Sequence, residues 1–434
     1  MSVIPVVRFD NYSKLKGSNS RLVTDGQFGD LGKNLIRDFK AGAYFTSRDV
    51  TERLSIFAGA LFGWGSTEAD GFADFFSPNR LNNLDRDLFL IIDHQGIPFI
   101  KRSWSPTISL EVYNLKRNVS DGASIEEFPC TSCLPIQKSI DIRYNVWEAN
   151  LYLRSKLNQW SLFELGAYYS PYSVATDGFF SDELKEFIPG STTEYFKGTS
   201  YSASYIANTI IPARHADIAP EGARANVTFE LETGRLLQVF EIDDGTLSPV
   251  YDRTTNYSLE LQSQLGGEIA GNINGLLSSR IFSYFNRPED YFYLDYAGGL
   301  TGMRSYPYFA IGGQRTIWGR FSLLTPLKRD INQQIGAYTL DKLYANLFVE
   351  AGNGWGGPLQ IGDNLKTGVG TELRFSLNSY YIFPLKFFIT TTYGFSRFNV
   401  TLPDQFISTS SENSITYGKE LLFYFGLTFD FNQL

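Results

Sequence analysis

The feature that most constrains this chain is an alternation of apolar and polar residues, with a period of two, sustained over many long segments. Residues 421–431 read LLFYFGLTFDF, so Phe423, Phe425, Leu427, Phe429 and Phe431 share one face and Tyr424, Gly426, Thr428 and Asp430 the other. In 224–232, Ala225, Val227, Phe229 and Leu231 oppose Arg224, Asn226, Thr228, Glu230 and Glu232. Residues 342–351 set Leu343, Ala345, Leu347 and Val349 against Lys342, Tyr344, Asn346 and Glu350. Residues 144–154 set Trp147, Ala149, Leu151 and Leu153 against Glu148, Asn150, Tyr152 and Arg154. Only extended backbone places alternate residues on opposite faces, so the chain is read as all-β.

A water-soluble sandwich would turn the apolar faces into a core. The segments argue for a different solvent. They are longer than the five or six residues usual for strands, and they fill the chain. Sixteen are expected, at 2–10, 35–46, 52–64, 86–94, 105–116, 140–154, 159–170, 195–208, 223–234, 254–267, 276–287, 315–326, 342–351, 366–376, 384–396 and 421–432. Their polar faces mix charges with aromatics, which suits a hydrated lumen. Connections after even-numbered strands are short, as at 47–51 and 155–158. Those after odd-numbered strands are long, at 65–85, 117–139, 171–194, 235–253, 288–314 and 397–420. Short turns at one end and long loops at the other are the rule for outer-membrane barrels. The expectation is one transmembrane antiparallel β-barrel over 1–434, with periplasmic turns and termini and extracellular loops. In hydrocarbon every backbone group must be paired within the protein, so the first and last strands should meet. Pro5 cannot donate to that seam.

Composition agrees where it is informative. Aromatic residues make up 16 %, with 36 Phe and 26 Tyr, and Gly reaches 39, as girdles and strand bends require. No run of eighteen apolar residues occurs, so a helical span is excluded. A mean hydropathy of −0.17 says nothing against strands that alternate. The net charge of −8, without a basic patch, argues against nucleic acid as a partner. The first residues, MSVIPVVRFD, lack the basic start and apolar core of a leader. A leader and any periplasmic domain are therefore expected upstream of Met1.

Residues 299–308 read GLTGMRSYPY, 311–327 read IGGQRTIWGRFSLLTPL, 347–355 read LFVEAGNGW and 424–431 read YFGLTFDF. In these motifs, strongest over 220–434, the chain resembles the barrel domain of the BamA/TamA-type outer-membrane assembly superfamily, the bacterial surface antigen family. The resemblance implies a sixteen-stranded barrel whose sixth long loop folds back into the lumen. That loop would carry a tetrad, here Met303, Arg304, Ser305 and Tyr306. Its arginine would contact the acidic residue of a motif on the thirteenth strand, here Phe348, Glu350 and Gly352. Two positions depart from the family pattern: Ser305 stands for a glycine, and Glu350 for an aspartate. Alternation places Glu350 toward the lumen. Tyr424, Gly426, Phe429 and Phe431 resemble the C-terminal assembly signal of bacterial barrels. The stretch DIAPEGAR at 217–224 is similar to members whose barrel follows a periplasmic domain such as a propeller.

Other lumen candidates are Arg224, Glu230, Glu260, Arg280, Arg320, Glu372 and Arg374. Their mixed signs point to structural pairing across neighbouring strands. Cys130 and Cys133, in FPCTSCLP, suit a disulfide in an oxidising compartment, with free thiols as the alternative. They lack the further Cys or His that a zinc site needs. His94 and His215 are the only histidines, and His94 reads as a turn residue. No Gly-x-Ser-x-Gly elbow, phosphate loop or metal-ligand cluster appears, so neither an enzyme nor a cofactor is expected. The resemblance implies insertion or export of proteins through the outer membrane, with lipid, client proteins and periplasmic accessory proteins as partners. The alternatives are an anchoring or secretion barrel for an attached domain, or a general pore. Upstream domains of the POTRA type would favour the first, and a propeller or a catalytic domain would favour anchoring.

Overall fold

A computed structural model describes residues 2–9, 29, 32, 39–51, 53–64, 84–96, 105–127, 136–181, 185–211, 216, 218–243, 246–286, 291–336, 338–357, 364–378, 385–401 and 414–429. Its main sheet has seventeen strands. One is a three-residue ladder, Gln333–Ile335; the remaining sixteen make a continuous antiparallel wall. They are β1 (Ser2–Phe9), β2 (Phe39–Arg48), β3 (Leu54–Gly63), β4 (Asp85–Gln95), β5 (Thr107–Glu127), β6 (Ile136–Asn158), β7 (Ser161–Thr176) and β8 (Thr192–Asn208). The second half adds β9 (Gly222–Asp243), β10 (Thr246–Ala270), β11 (Ile273–Tyr284), β12 (Arg315–Lys328), β13 (Tyr338–Trp355), β14 (Lys366–Asn378), β15 (Leu385–Gly394) and β16 (Leu421–Phe429). Each pairs with the next in sequence, so all sixteen expected strands occur in the expected order.

The two faces of the wall have inverted polarity. On β13, Leu347 and Val349 are 52 % and 54 % exposed, while Asn346 and Glu350 are 7 % and 4 % exposed. Phe229 on β9, Leu277 on β11, Phe321 on β12 and Ile389 on β15 are exposed likewise, while Ser202, Asn256, Ser322, Glu372 and Thr390 are buried. A water-soluble sandwich would bury the first set and expose the second. Here the apolar face looks out and the polar face looks in.

The wall curls around one segment. The connection between β11 and β12 touches Phe196 on β8 through Phe292, with ring centroids 4.9 Å apart. It touches Thr254 on β10 through Tyr293 and Arg280 on β11 through Asp295. Farther along, it reaches Glu372 on β14 and Thr392 on β15. A sheet whose inner face meets one loop from its eighth to its fifteenth strand is a barrel around that loop. Among the described residues no ladder joins β1 to β16. Pro5 sits in β1 opposite Ala43, on the outermost strand, where a missing donor leaves the β1–β2 ladder least disturbed.

Several boundaries differ from the sequence expectation. The loops expected at 117–139 and 235–253 are largely strand. β5 and β6 stay paired out to Glu127 and Ile136, and β9 and β10 out to Asp243 and Thr246. A bilayer would need only about ten residues per strand, and these two hairpins are longer than that. Once two strands are in register, the ladder continues for as long as each backbone group finds its partner. The turn expected at 155–158 falls at 159–160, because β6 runs on to Asn158. The first short connection lies between Arg48 and Leu54, where the Asp49 N–H donates to Leu54 O. The ends of β1 at Ser2 and β16 at Phe429 lie with the short turns, since Ser2 pairs with Thr46 and Phe429 with Leu385. Cys130, Cys133, His215 and Phe431 lie outside the described residues, and at Phe429 only the backbone is described. His94 is at the β4 end, where its Nδ1 lies 2.7 Å from Gly96 O.

Candidate functional site: the inward loop and its clamp

The connection that follows the eleventh strand is the sixth of those on the long-loop side. It doubles back on itself: Asp295–Tyr296 pairs with Gly312–Gly313, and the Ala297 and Gly299 N–H groups donate to Ile311 O and Tyr306 O. Gly299, at φ +84°, takes a turn conformation that a side chain would strain. The tip carries Met303, Arg304, Ser305 and Tyr306. The structure thus places the expected tetrad at the apex of an inward-folded loop.

Three glycines of the wall make its seat. A Cβ at Gly352 on β13 would lie 2.6 Å from Met303 Sδ. One at Gly368 on β14 would lie 2.3 Å from Ser305 Cβ, and one at Gly394 on β15 would lie 2.8 Å from Ser305 O and from the Tyr306 ring. Ser305 has no positive φ, so it needs no glycine-like backbone. Its side chain fits because the opposite strand gave up its own at Gly368. The departure from the glycine that the resemblance implies is absorbed across the interface.

The ionic contacts correct the expected pair. The Arg304 Nη1 donates to Glu372 Oε2 at 2.8 Å, not to Glu350. Glu350 accepts the Ser305 N–H at 2.6 Å and Arg320 Nε at 3.1 Å. Arg320 also donates to Gly302 O. Glu372 further accepts Arg374 Nη2 at 2.6 Å and Thr390 Oγ1 at 2.9 Å. Glu350 pairs with Gly368 in the ladder and Glu372 with Asn346, so the two carboxylates stand on adjacent strands, offset along them. A tip crossing both strands meets Glu350 with its backbone and Glu372 with the longer Arg304 side chain. Alternation gave Glu350 and Glu372 the same inward face; it could not say which one the arginine would choose.

The Phe348 ring lies 5.4 Å from the Arg304 guanidinium and 5.3 Å from that of Arg320, so one aromatic ring supports two cations. Burial first, and the like charge of Arg320 second, hold the Arg304 guanidinium below the usual arginine range, at about 10, still charged at neutral pH. Thr392 Oγ1 donates to Arg304 O at 2.9 Å. The Tyr306 hydroxyl donates to Thr367 O at 2.8 Å and accepts the Ser396 N–H at 3.0 Å.

Met303 and Tyr306 of the tetrad also enter an apolar cluster that the sequence reading missed. Ala297, Met303, Tyr306, Ala310, Ile311 and Trp318 pack with Ile415 and Tyr417. The last two belong to a hairpin, Phe398–Thr401 with Ser414–Tyr417, in the connection from β15 to β16. Loop and hairpin share a small core inside the mouth of the barrel. The only sequence signal for it is a run of alternating residues in what reads as a loop.

At the root of the loop, Arg280 donates to both Asp295 oxygens, at 2.8 and 2.9 Å, and pairs with Glu260. Arg320, Glu372, Arg374, Arg280 and Glu260 are thus the expected structural pairs. Arg224 and Glu230 line cavities. One, of about 520 Å³, lies between the loop and β9–β12, and one of about 400 Å³ lies between β6–β9 and Phe292 and Tyr293. No cluster of metal-ligating side chains occurs among the described residues.

No family model and no curated protein matches the sequence. Among solved structures the chain is similar to CdiB from Escherichia coli, at 10 % identity and a TM-score of 0.48, over 90 % of this chain and 60 % of that one. It is similar to BamA from Haemophilus ducreyi lacking POTRA domains 1–3, at 11 % identity and a TM-score of 0.48, over 90 % of this chain and 68 % of that one. The chain thus spans about 60 % of the length of CdiB.

Proposed function

We propose that the chain is the membrane-embedded barrel of an outer-membrane protein insertion or secretion system. The observation that carries this reading is the sixth connection, folded inward and clamped by its tetrad onto β13, β14 and β15. An apolar outer face around a polar interior supports a bilayer as the surrounding solvent. Both chain ends would then face the periplasm with the short turns. The work would be mechanical. The clamp keeps the lumen organised by side-chain contacts alone, with client polypeptides and periplasmic accessory proteins as partners and no covalent chemistry, metal or cofactor.

The test is reconstitution of the full chain in liposomes, followed by addition of a urea-denatured eight-stranded barrel protein. The folded client is read by its faster migration on unheated gels. Folding should be faster than in empty liposomes, and Arg304→Ala should slow it. Equal rates with and without the chain would remove the insertion role and leave anchoring of an attached domain as the reading to pursue.

A further inference from the structure

The outer face of β8–β10 is ordered in rows by the ladder register. From the short-turn end, successive outward rows are Tyr205–Val227–Leu261, Ala203–Phe229–Leu259 and Tyr201–Leu231–Tyr257. The next is Thr199–Thr233–Thr255, and the next Lys197–Arg235–Arg253. Exposed side chains at Tyr205, Phe229, Leu259, Tyr201 and Tyr257 confirm that this face looks outward. Polarity therefore changes along the wall from apolar through aromatic and hydroxyl to cationic within five rows.

The basic row is unusual on its own terms. Lys197 stands directly opposite Arg235, and Arg235 directly opposite Arg253, and like charges at such positions destabilise a sheet. One member of the row has a carboxylate partner: Arg235 Nη2 donates to Glu194 Oε2 at 2.8 Å. Lys197 lies 5.7 Å from the Tyr169 ring, and neither it nor Arg253 makes an ion pair among the described residues. Two positive charges are left over on the outward face. The row is some eleven residues from the short-turn end of β8, which is on the order of 25–30 Å of height for a strand tilted by about 40°. That is one hydrocarbon thickness, and it puts the row where headgroup phosphates lie.

We infer that Lys197, Arg235 and Arg253 form a binding site for the phosphate of an anionic lipid headgroup in the leaflet on the long-connection side. The aromatic rows below would pack the acyl chains of the same lipid, and the threonine row would lie at the level of its linkage region. Arg235, fixed by Glu194 and by stacking 4.8 Å from the Tyr251 ring, is the rigid member. Lys197 and Arg253 flank it and close on the phosphate. This inference rests on the membrane reading of the outer face.

The full chain would be refolded in dodecylmaltoside and titrated with phosphatidylglycerol or phosphatidylcholine, counting bound lipid by native mass spectrometry. A basic side chain at an anionic lipid surface contributes a factor of about five in affinity. Wild type should therefore prefer phosphatidylglycerol by more than tenfold, and Lys197→Gln with Arg253→Gln should remove most of that preference. Lys156→Gln, near the opposite rim, should leave it intact. Free glycerol phosphate should compete only weakly, because it lacks the acyl contacts; full displacement at lipid-like concentrations would mean a site for free phosphate and overturn the lipid assignment. Equal affinity of the folded wild type for both lipids would overturn the proposal outright. So would an unchanged preference in a double variant that keeps the heat-dependent gel shift. Should the double variant not fold, salt dependence decides: raising salt from 0.05 to 0.5 M should erase the wild-type preference, and its persistence would count against the site. A wild type that shows no gel shift and no detergent requirement would instead defeat the membrane reading beneath it.

Discussion

At the scale of single residues, the clamp rests on two buried carboxylates with different tasks. Glu372, 1 % exposed, holds two guanidiniums and a hydroxyl; Glu350 holds one guanidinium and a backbone N–H. Removing one member of such a buried set leaves charges uncompensated, at about 3–5 kcal/mol. The two possible pairings of Arg304 are separable by double-mutant cycles on urea unfolding from vesicles. Arg304→Ala with Glu372→Ala should show a coupling of about 0.5–3 kcal/mol. Arg304→Ala with Glu350→Ala should show a smaller one, and the reverse order would restore Glu350 as the arginine's partner. The seat gives a second prediction. Gly368→Ala would drive a methyl to within 2.3 Å of Ser305 Cβ and should lift the tetrad, opening residues 285–314 to added protease. Gly267→Ala meets nothing within 4 Å and should leave that protection unchanged. Ser305→Gly in the Gly368→Ala background should restore much of it; no rescue would mean that Gly368 acts in some other way.

At the scale of elements, the strands divide, on the proposed membrane reading, into a band that a bilayer would require and extensions that it would not. The β9–β10 ladder continues for about eight residues past Arg235, on the order of 25 Å. Its register was hidden because 235–253 carries charged and turn-forming residues, a composition that reads as a loop until its partner strand is known. Such an extension is held by its own ladder, so the wall should not depend on it. Replacing residues 240–249 with an Asn-Gly turn between Val239 and Val250, which already face each other, should keep the heat-dependent gel shift. Loss of the shift would show that the projecting hairpin helps to close the barrel. The loop-and-hairpin core illustrates the opposite difficulty. Its members come from 297–318 and 415–417, and nothing local in either stretch announces the other.

For the whole molecule, the inverted polarity of the two faces separates a membrane barrel from a soluble one by a single substitution. Leu347 is 52 % exposed and looks outward at mid-wall. In a soluble protein Leu347→Arg on such a surface would change stability by no more than about 0.5 kcal/mol. In a bilayer the same change should cost about 2–4 kcal/mol and slow insertion into liposomes. Equal folding yields for wild type and Leu347→Arg in liposomes would speak for water, not lipid, around the wall.

The amino-acid sequence by itself determined the strand count, the order and the inward or outward sense of residues in its alternating segments. Backbone geometry ties the period of two to the two faces, and this holds whatever the strands later meet. It also placed Met303 to Tyr306 at the end of an inward loop, because the motif resembles a known one. What only the tertiary structure decided is which inward residues meet across the lumen. The choice of Glu372 over Glu350, the seat of Gly352, Gly368 and Gly394, and the core shared with the last hairpin all depend on strand offset and barrel curvature. Those are set by the register of the whole wall at once, and no local pattern encodes them.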